Sequence, residues 1–273
     1  MELGLRGRRA LVTGASQGIG RAIAESLARE GCNLHLVARN AQALEALRTT
    51  LTQAHGIDAT IHAADLSLRG AAHAISEACG DADILVNNAG NIPRGDILEL
   101  DEETWRAGWE LKVFGYINMV RAFYGRMKQR RAGVIVNVIG IGAEKLEYAY
   151  TAGAAGNSAL AAMTRAIGSV SLDYGVRVLA VSPGWVETDR ARGSLRKRAT
   201  QELGDAERWR ELVQHWPRGH LIAPQEIAEV VTFVASDRAS AMSGVVVTVD
   251  AGFAARGYAR APAAGAAGSS QRA

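Results

Sequence analysis

A chain of 273 residues, 48% hydrophobic and 22% charged with a formal net charge of +3, suits one large globular domain and lacks the cationic footprint of a nucleic-acid binder. No apolar run approaches the roughly 18 residues of a membrane span, and the N-terminal MELGLRGRRA has no apolar signal core, so the expected setting is the cytoplasm, away from membranes. Cys32 and Cys79 lie far apart, and neither they nor the six histidines fall at metal-ligand spacing; they read as free thiols and ordinary histidines, with no metal.

β-rich apolar runs alternate with helical patterns along the chain. Strands are expected at Arg9–Thr13, Asn33–Ala38, Asp58–Ala63, Asp83–Asn87, Gly133–Val138, Arg177–Ser182 and Val245–Val249. Helices are expected near Gly18–Glu30, Ala41–Ala54, Ala71–Ala78, Glu102–Arg131, Ala155–Tyr174, Ala206–His215 and Pro224–Ser236. The alternation predicts an α/β fold: a doubly wound parallel sheet of about seven strands, helices on both faces, and ligand outside the carboxyl ends of the strands. No repeat or linker divides the chain, so one domain is expected over 1–253. From Ala254 to Ala273 the sequence turns Ala/Gly/Ser/Arg-rich and reads as a disordered tail.

The stretch LVTGASQGIG, Leu11 to Gly20, sits at the first strand-to-helix junction. Gly14 permits the tight exit from the strand, Gly18 lets a pyrophosphate approach the backbone, and Gly20 lets helix and strand pack closely. The helix N-terminus then offers free N–H groups and a positive dipole end to phosphates. Three glycines alone are a weak signal; strand, turn and helix around them make it a stronger one.

Thr13-Gly14-x-x-x-Gly18-Ile19-Gly20, followed by Asn87-Asn88-Ala89-Gly90 and by Ser182-Pro183-Gly184-Trp185-Val186-Glu187-Thr188, resembles the short-chain dehydrogenase/reductase superfamily over about Leu5 to Gly252. The resemblance implies a single-domain Rossmann-type fold with a bound nicotinamide dinucleotide. Gly14, Ser16, Gln17, Gly18, Ile19 and Gly20 take the place of its pyrophosphate loop. Ala38, Arg39 and Asn40 stand where the ribose is read. A cation there and no anion favours the 2′-phosphate of NADP(H) through Arg39, with NAD(H) the alternative. Asp65 and Leu66 resemble the pair at the adenine. Asn88, Ala89 and Gly90 close over the adenosine side, and Pro183, Gly184, Val186 and Thr188 resemble the turn at the nicotinamide end. Asn87 reads as a structural strand-end residue.

The catalytic pattern of that superfamily, Asn, Ser, Tyr and Lys, falls here on Lys112, Gly140, Gly153 and Asn157, with the intervals kept. In the resemblance the Tyr exchanges a proton with the substrate oxygen, and the Lys binds the nicotinamide ribose and lowers the Tyr pKa. The one literal Tyr-x-x-x-Lys, Tyr124 to Lys128, precedes the Gly133–Val138 strand and belongs to another helix. Lys112 is therefore a candidate proton donor, oxyanion partner or Schiff-base nucleophile, weighed against a structural lysine. Asn157 is a candidate for the ribose contact. In the loop from Gly142 to Tyr150, Tyr150 or Tyr148 offers a displaced phenol and Glu144 a carboxylate, each weighed against simple packing or solvation. Asp189 to His220, about 189–220, takes the place of the variable substrate lid. It is made basic by Arg190, Arg192, Arg196, Lys197 and Arg198, a set that either welcomes an acidic substrate or faces solvent.

The leading expectation is an NADP-dependent oxidoreductase acting on a small-molecule hydroxyl or carbonyl through a non-standard proton relay. The alternatives are a lyase, hydrolase or isomerase on the same fold, or a dinucleotide-binding protein without turnover. The resemblance also implies a homodimer or homotetramer paired through the helices at Glu102–Arg131 and Ala155–Tyr174.

Overall fold

Residues 2–256 are described in the computed structural model. Their seven strands form a single parallel sheet in the order β3-β2-β1-β4-β5-β6-β7. The strands are β1 (Arg9–Thr13), β2 (Asn33–Ala38), β3 (Ala59–Ala63), β4 (Ile84–Asn87), β5 (Gly133–Val138), β6 (Val176–Pro183) and β7 (Val246–Val249). The expected doubly wound sheet is thus the observed one. Each strand begins and ends within one residue of its expected place; β6 gains a residue at each end, and beyond Pro183 Gly184 N donates to Val249 O (2.9 Å) and carries pairing past the strand.

Alternation decides which face each side chain enters. Ala10 and Val12 of β1 join Leu34 and Leu36 of β2 under α1 (Gly18–Arg29), α2 (Ala41–His55) and the Ile227–Val231 stretch that belongs to the last helix. Leu11, Val37, Leu85 and Ile135 point the other way, under α3 (Ala71–Cys79) and the helix that carries Phe123 and Met127. A sheet covered on both sides needs runs such as IVNV that are apolar without a break. At the centre of the sheet Asn87 Nδ2 donates to Asn137 Oδ1 (3.0 Å) and Asn137 Nδ2 to Thr164 Oγ1 (3.0 Å), all three residues fully buried. Asn87 is structural, as expected.

Helical boundaries hold the informative differences. The expected Glu102–Arg131 helix is three pieces: α4 (Glu102–Trp109), a single π turn over Glu110–Phe114, and α5 (Gly115–Arg130). The π turn widens the helix by about one residue per turn and rotates Lys112 toward the sheet. The next helix, α6 (Thr151–Ser171), starts four residues before the expected Ala155, because Trp109 Nε1 donates to Ala152 O (3.1 Å) and fixes the glycine-rich first turn. The lid contains a helix the sequence reading left unassigned, α7 (Asp189–Leu203), with Thr188 Oγ1 accepting from Ala191 N at its start. The expected Ala206–His215 helix shrinks to a 3₁₀ turn and one helical turn, α8 (Trp209–Val213); the last helix is α9 (Pro224–Ala235). Of the expected tail, Ala254 and Arg256 are tied down: Ala254 N donates to Asp250 Oδ2 (2.7 Å) and an Arg256 guanidinium N–H to His215 O (2.9 Å). Residues 257–273 lie outside the described residues.

Candidate functional site

The strand order reverses direction of travel between β1 and β4, and the loops after those strands open a crevice there. It is a groove of about 610 Å³, within the range of small-molecule and cofactor sites. Of the residues expected to hold a dinucleotide, Gly14, Ser16, Gln17, Gly18, Ile19, Arg39, Asp65, Leu66, Asn88, Ala89, Gly90 and Thr188 line it. Gly20 does not. A Cβ there would collide with Gly14 O and Asn88 Nδ2, so Gly20 serves the packing of α1 on β1. Gln17, at the N-cap of α1, makes no side-chain cap, which leaves the first-turn N–H groups of the helix to a ligand. At the far end Arg39 faces Asp65. The Asp65 carboxyl lies below its usual range because Ser67 donates to it through side chain and backbone, with the Arg39 charge adding to the effect.

A second cavity of about 200 Å³ continues from the groove and shares Ile19, Gly90, Lys112, Ile139, Thr188 and Arg190 with it. Pro183, Gly184, Val186 and Asn157, the remaining expected cofactor residues, line this part. Lys112 is 8% exposed. Its Nζ donates to Val138 O (2.8 Å), Tyr116 Oη (2.9 Å) and Ile139 O (3.2 Å), and Tyr116 Oη donates in turn to Val138 O (2.8 Å). All three ammonium protons are engaged, yet no carboxylate is among the partners. Burial, with the Arg190 charge second, pushes the ammonium down to about 7.

Tyr150 stands at the N-cap of α6, three residues before Gly153. Its ring lies where the side chain of residue 153 would begin: a Cβ on Gly153 would overlap the phenol end of that ring, 2.0 Å from Cζ, and one on Gly142 would sit 3.3 Å from Tyr150 Cε1. Asn157, one turn on, donates from Nδ2 to Gly153 O (2.8 Å), while its buried Oδ1 has no hydrogen-bond partner. That orphan acceptor faces the space left open by Gly140 and fits a donor hydroxyl from a ligand.

The sequence reading missed Arg94. Its guanidinium lies 5.0 Å from the Tyr150 ring centroid and 5.3 Å from that of Trp185, and it pairs with Glu147. A parallel bridge between Gly95 and Tyr150, with Gly95 N donating to Ala149 O (3.0 Å), holds these segments together. Nothing local in the sequence pairs position 94 with position 150; the signal is a tertiary one. Trp185, Trp216 and Phe253 form an aromatic row beside the cavity, with centroids 5.3 and 5.0 Å apart.

Glu144 lines neither cavity. Its carboxylate accepts from Ser182 Oγ (2.9 Å) and Thr248 Oγ1 (3.4 Å), joining the loop to β6 and β7. Tyr148 is 69% exposed. Tyr124 lies on α5 outside both cavities, and Lys128 Nζ sits 3.6 Å from the Tyr174 ring centroid instead. In the lid, Arg192, Arg196 and Arg198 pair with Asp189, Glu207 and Glu202. Only Arg190 turns inward, donating to Ile92 O (2.8 Å) and Gly90 O (3.3 Å).

The family model described as Enoyl-(Acyl carrier protein) reductase matches residues 14–254. Galactitol 2-dehydrogenase (L-tagatose-forming) of Cereibacter sphaeroides is 35% identical over 251 residues, which cover 91% of this chain and 96% of that one. The 3-oxoacyl-[acyl-carrier-protein] reductase of Vibrio harveyi is 32% identical over 92% of this chain and 98% of its own. Among solved structures, L-sorbose reductase from Gluconobacter frateurii, complexed with NADPH and L-sorbose, superposes with a TM-score of 0.86 at 29% identity, covering 93% of this chain and 98% of that one.

Proposed function

The chain belongs to the short-chain dehydrogenase/reductase superfamily, and from that premise we propose that it is an NADP(H)-dependent oxidoreductase interconverting a carbonyl and a hydroxyl on a small molecule, with Tyr150 as the proton-transferring phenol. The observation that carries this reading is the Tyr150 ring lying in the space of a side chain at 153, the position the resemblance gives to the catalytic tyrosine. The family's Asn, Ser, Tyr and Lys are replaced by Lys112, Gly140, Gly153 and Asn157, and the phenol comes from one helical turn earlier.

The residues fit a dinucleotide: α1 offers uncapped N–H groups to its pyrophosphate, Arg39 a charge to its 2′-phosphate, and Asn157 Oδ1 an acceptor to a ribose or substrate hydroxyl. When bound, a reduced nicotinamide supplies hydride to the substrate carbonyl carbon. Tyr150 then gives its phenolic proton to the substrate oxygen, and in oxidation it takes that proton back. The resulting tyrosinate lies against Arg94, which Glu147 and Trp185 hold in place. Lys112 places a cation beside the same cavity but is committed to backbone carbonyls, which favours a positioning role over a nucleophilic one.

A second reading, proton transfer by Lys112 itself, has its ammonium near 7 in its favour. The relatives named for sugar and polyol substrates make ketoses, polyols and 3-oxoacyl thioesters the first substrates to assay with NADPH and NADH. Under this reading Tyr150→Phe abolishes turnover while NADPH still binds, as followed by nicotinamide fluorescence. Full turnover in Tyr150→Phe, with loss in Lys112→Met, selects the second reading. The domain extends over 1–253 with the lid at about 189–220, and no described helix is long and apolar enough to cross a membrane, in keeping with a cytoplasmic enzyme. Phe114 and Val170, exposed beside α5 and on α6, fit pairing of those helices in a homodimer or homotetramer.

A further inference from the structure

Three ligand-type side chains that line neither cavity meet between the sheet and α3. The β2–β3 register pairs His35 with Thr60 and Val37 with His62, so His35 and His62 are diagonal neighbours on one face. α3 packs on that face and brings Cys79, its last residue, to the same point. His62 Nε2 is the hub: His35 Nδ1 lies 3.0 Å from it and Cys79 Sγ 3.4 Å. The three ligand atoms all lie within 4.8 Å of one another. The spacing along the chain, 27 and 17 residues, matches no local metal motif, which is why the sequence reading expected no metal.

As a hydrogen-bond network the cluster is incomplete. An imidazole nitrogen either donates one proton or accepts through one in-plane lone pair. His62 Nε2 therefore satisfies one of its two neighbours well and crowds the other. The rings are tilted by 35° with centroids 5.2 Å apart, so they do not stack. A cation at the centre would use all three lone pairs at once. Tetrahedral zinc, with Zn–N near 2.0–2.1 Å and Zn–S near 2.3 Å, holds such atoms roughly 3.3–3.6 Å apart, a range that the two His62 separations, 3.0 and 3.4 Å, approach. Two imidazoles and one thiolate form a mixed nitrogen and sulfur donor set suited to that ion.

We propose that His35, His62 and Cys79 form a Zn²⁺ site with water in the fourth position, clamping β2, β3 and α3 together beside the strand ends that carry Arg39 and Asp65. The imidazoles bind as neutral bases and the Cys79 sulfur as thiolate, so binding releases the thiol proton to solvent, one per metal ion bound.

The test uses the full chain, stripped with a chelator and titrated with Co²⁺ and then Zn²⁺. One equivalent of Co²⁺ is expected to give tetrahedral d–d bands together with a thiolate-to-cobalt charge-transfer band, both lost on adding one equivalent of Zn²⁺. Zn²⁺ is expected to raise the melting temperature. Cys79→Ser should lose the charge-transfer band and weaken binding roughly 100-fold, and His62→Gln should weaken it similarly. Cys32→Ser should keep the band and the affinity. A cobalt spectrum without charge transfer, a band that survives Cys79→Ser, or an equal zinc-induced rise in melting temperature in Cys79→Ser overturns the site. Because serine replaces cysteine nearly isosterically, that variant decides the matter even where His62→Gln fails to fold.

Discussion

The groove and the cavity that continues from it are built on different terms. The groove takes its glycine-rich wall from two short loops, Gly14–Ile19 and Asn88–Gly90. The cavity is walled by long side chains from four separate segments: Arg94, Lys112, Tyr150 and Trp185. Phosphate recognition depends on where N–H groups point, so it survives only one local sequence pattern. Proton transfer depends on where one oxygen ends up, and the proposed phenol of Tyr150 reaches its cavity from a loop rather than from the helix that follows.

The largest effect is expected of Tyr150→Phe. With the phenol supplied by Tyr150, kcat falls about 10²–10⁴-fold while NADPH affinity stays within about twofold; equal losses in both would merge the two regions into one. Next in size is Lys112, which borders both. Its folded ammonium titrates near 7, whereas the unfolded chain keeps its proton to about 10.5. Between those values the unfolded state binds more protons, so stability rises with pH, by at most about 5 kcal/mol in all. Urea unfolding at a series of pH values should show that rise in the wild type and lose it in Lys112→Met.

In the groove, Arg39→Ala should cut the preference for NADPH over NADH by about 10–100-fold, the worth of a charge-assisted phosphate contact. An unchanged ratio of the two kcat/KM values removes Arg39 from cofactor selection. The smallest effect is expected in the lid, where Arg196→Gln and Arg198→Gln break exposed pairs with Glu207 and Glu202. Each should shift stability by less than about 1 kcal/mol and leave kcat/KM unchanged within about twofold. A larger loss of activity would bring the outer lid cations into the substrate site.

How much of this was legible in the sequence follows the same divide. All seven strands and the glycine loop could be read from alternation and glycine spacing, since both are local, and the resemblance supplied Arg39, Asp65, Leu66 and Asn88–Gly90. Lys112 and Asn157 were found by position, and Tyr150 by its place in the loop. What the sequence could not give was their arrangement. The π turn at Glu110–Phe114, which aims Lys112 at Val138 O, carries no distinguishing residue pattern. Arg94 reaches Tyr150 only because a bridge joins Gly95 to that segment. Glu144 looked like a free loop carboxylate until β6 and β7 placed Ser182 and Thr248 against it. The α7 helix was hidden by its charge, since a lid helix with Leu195 and Ala199 among its few buried residues has little apolar stripe to betray it.

The contact between Gly153 and Tyr150 also constrains how this sequence can change. A tyrosine at 153 and one at 150 compete for the same volume, so Gly153→Tyr alone meets an occupied site and should unfold or displace the loop. Tyr150→Ala alone leaves a void against a helix with no side chain to fill it. Positions 150 and 153 are therefore sterically coupled: a large side chain at one requires a small one at the other, so a paired exchange is tolerated where either single change is resisted.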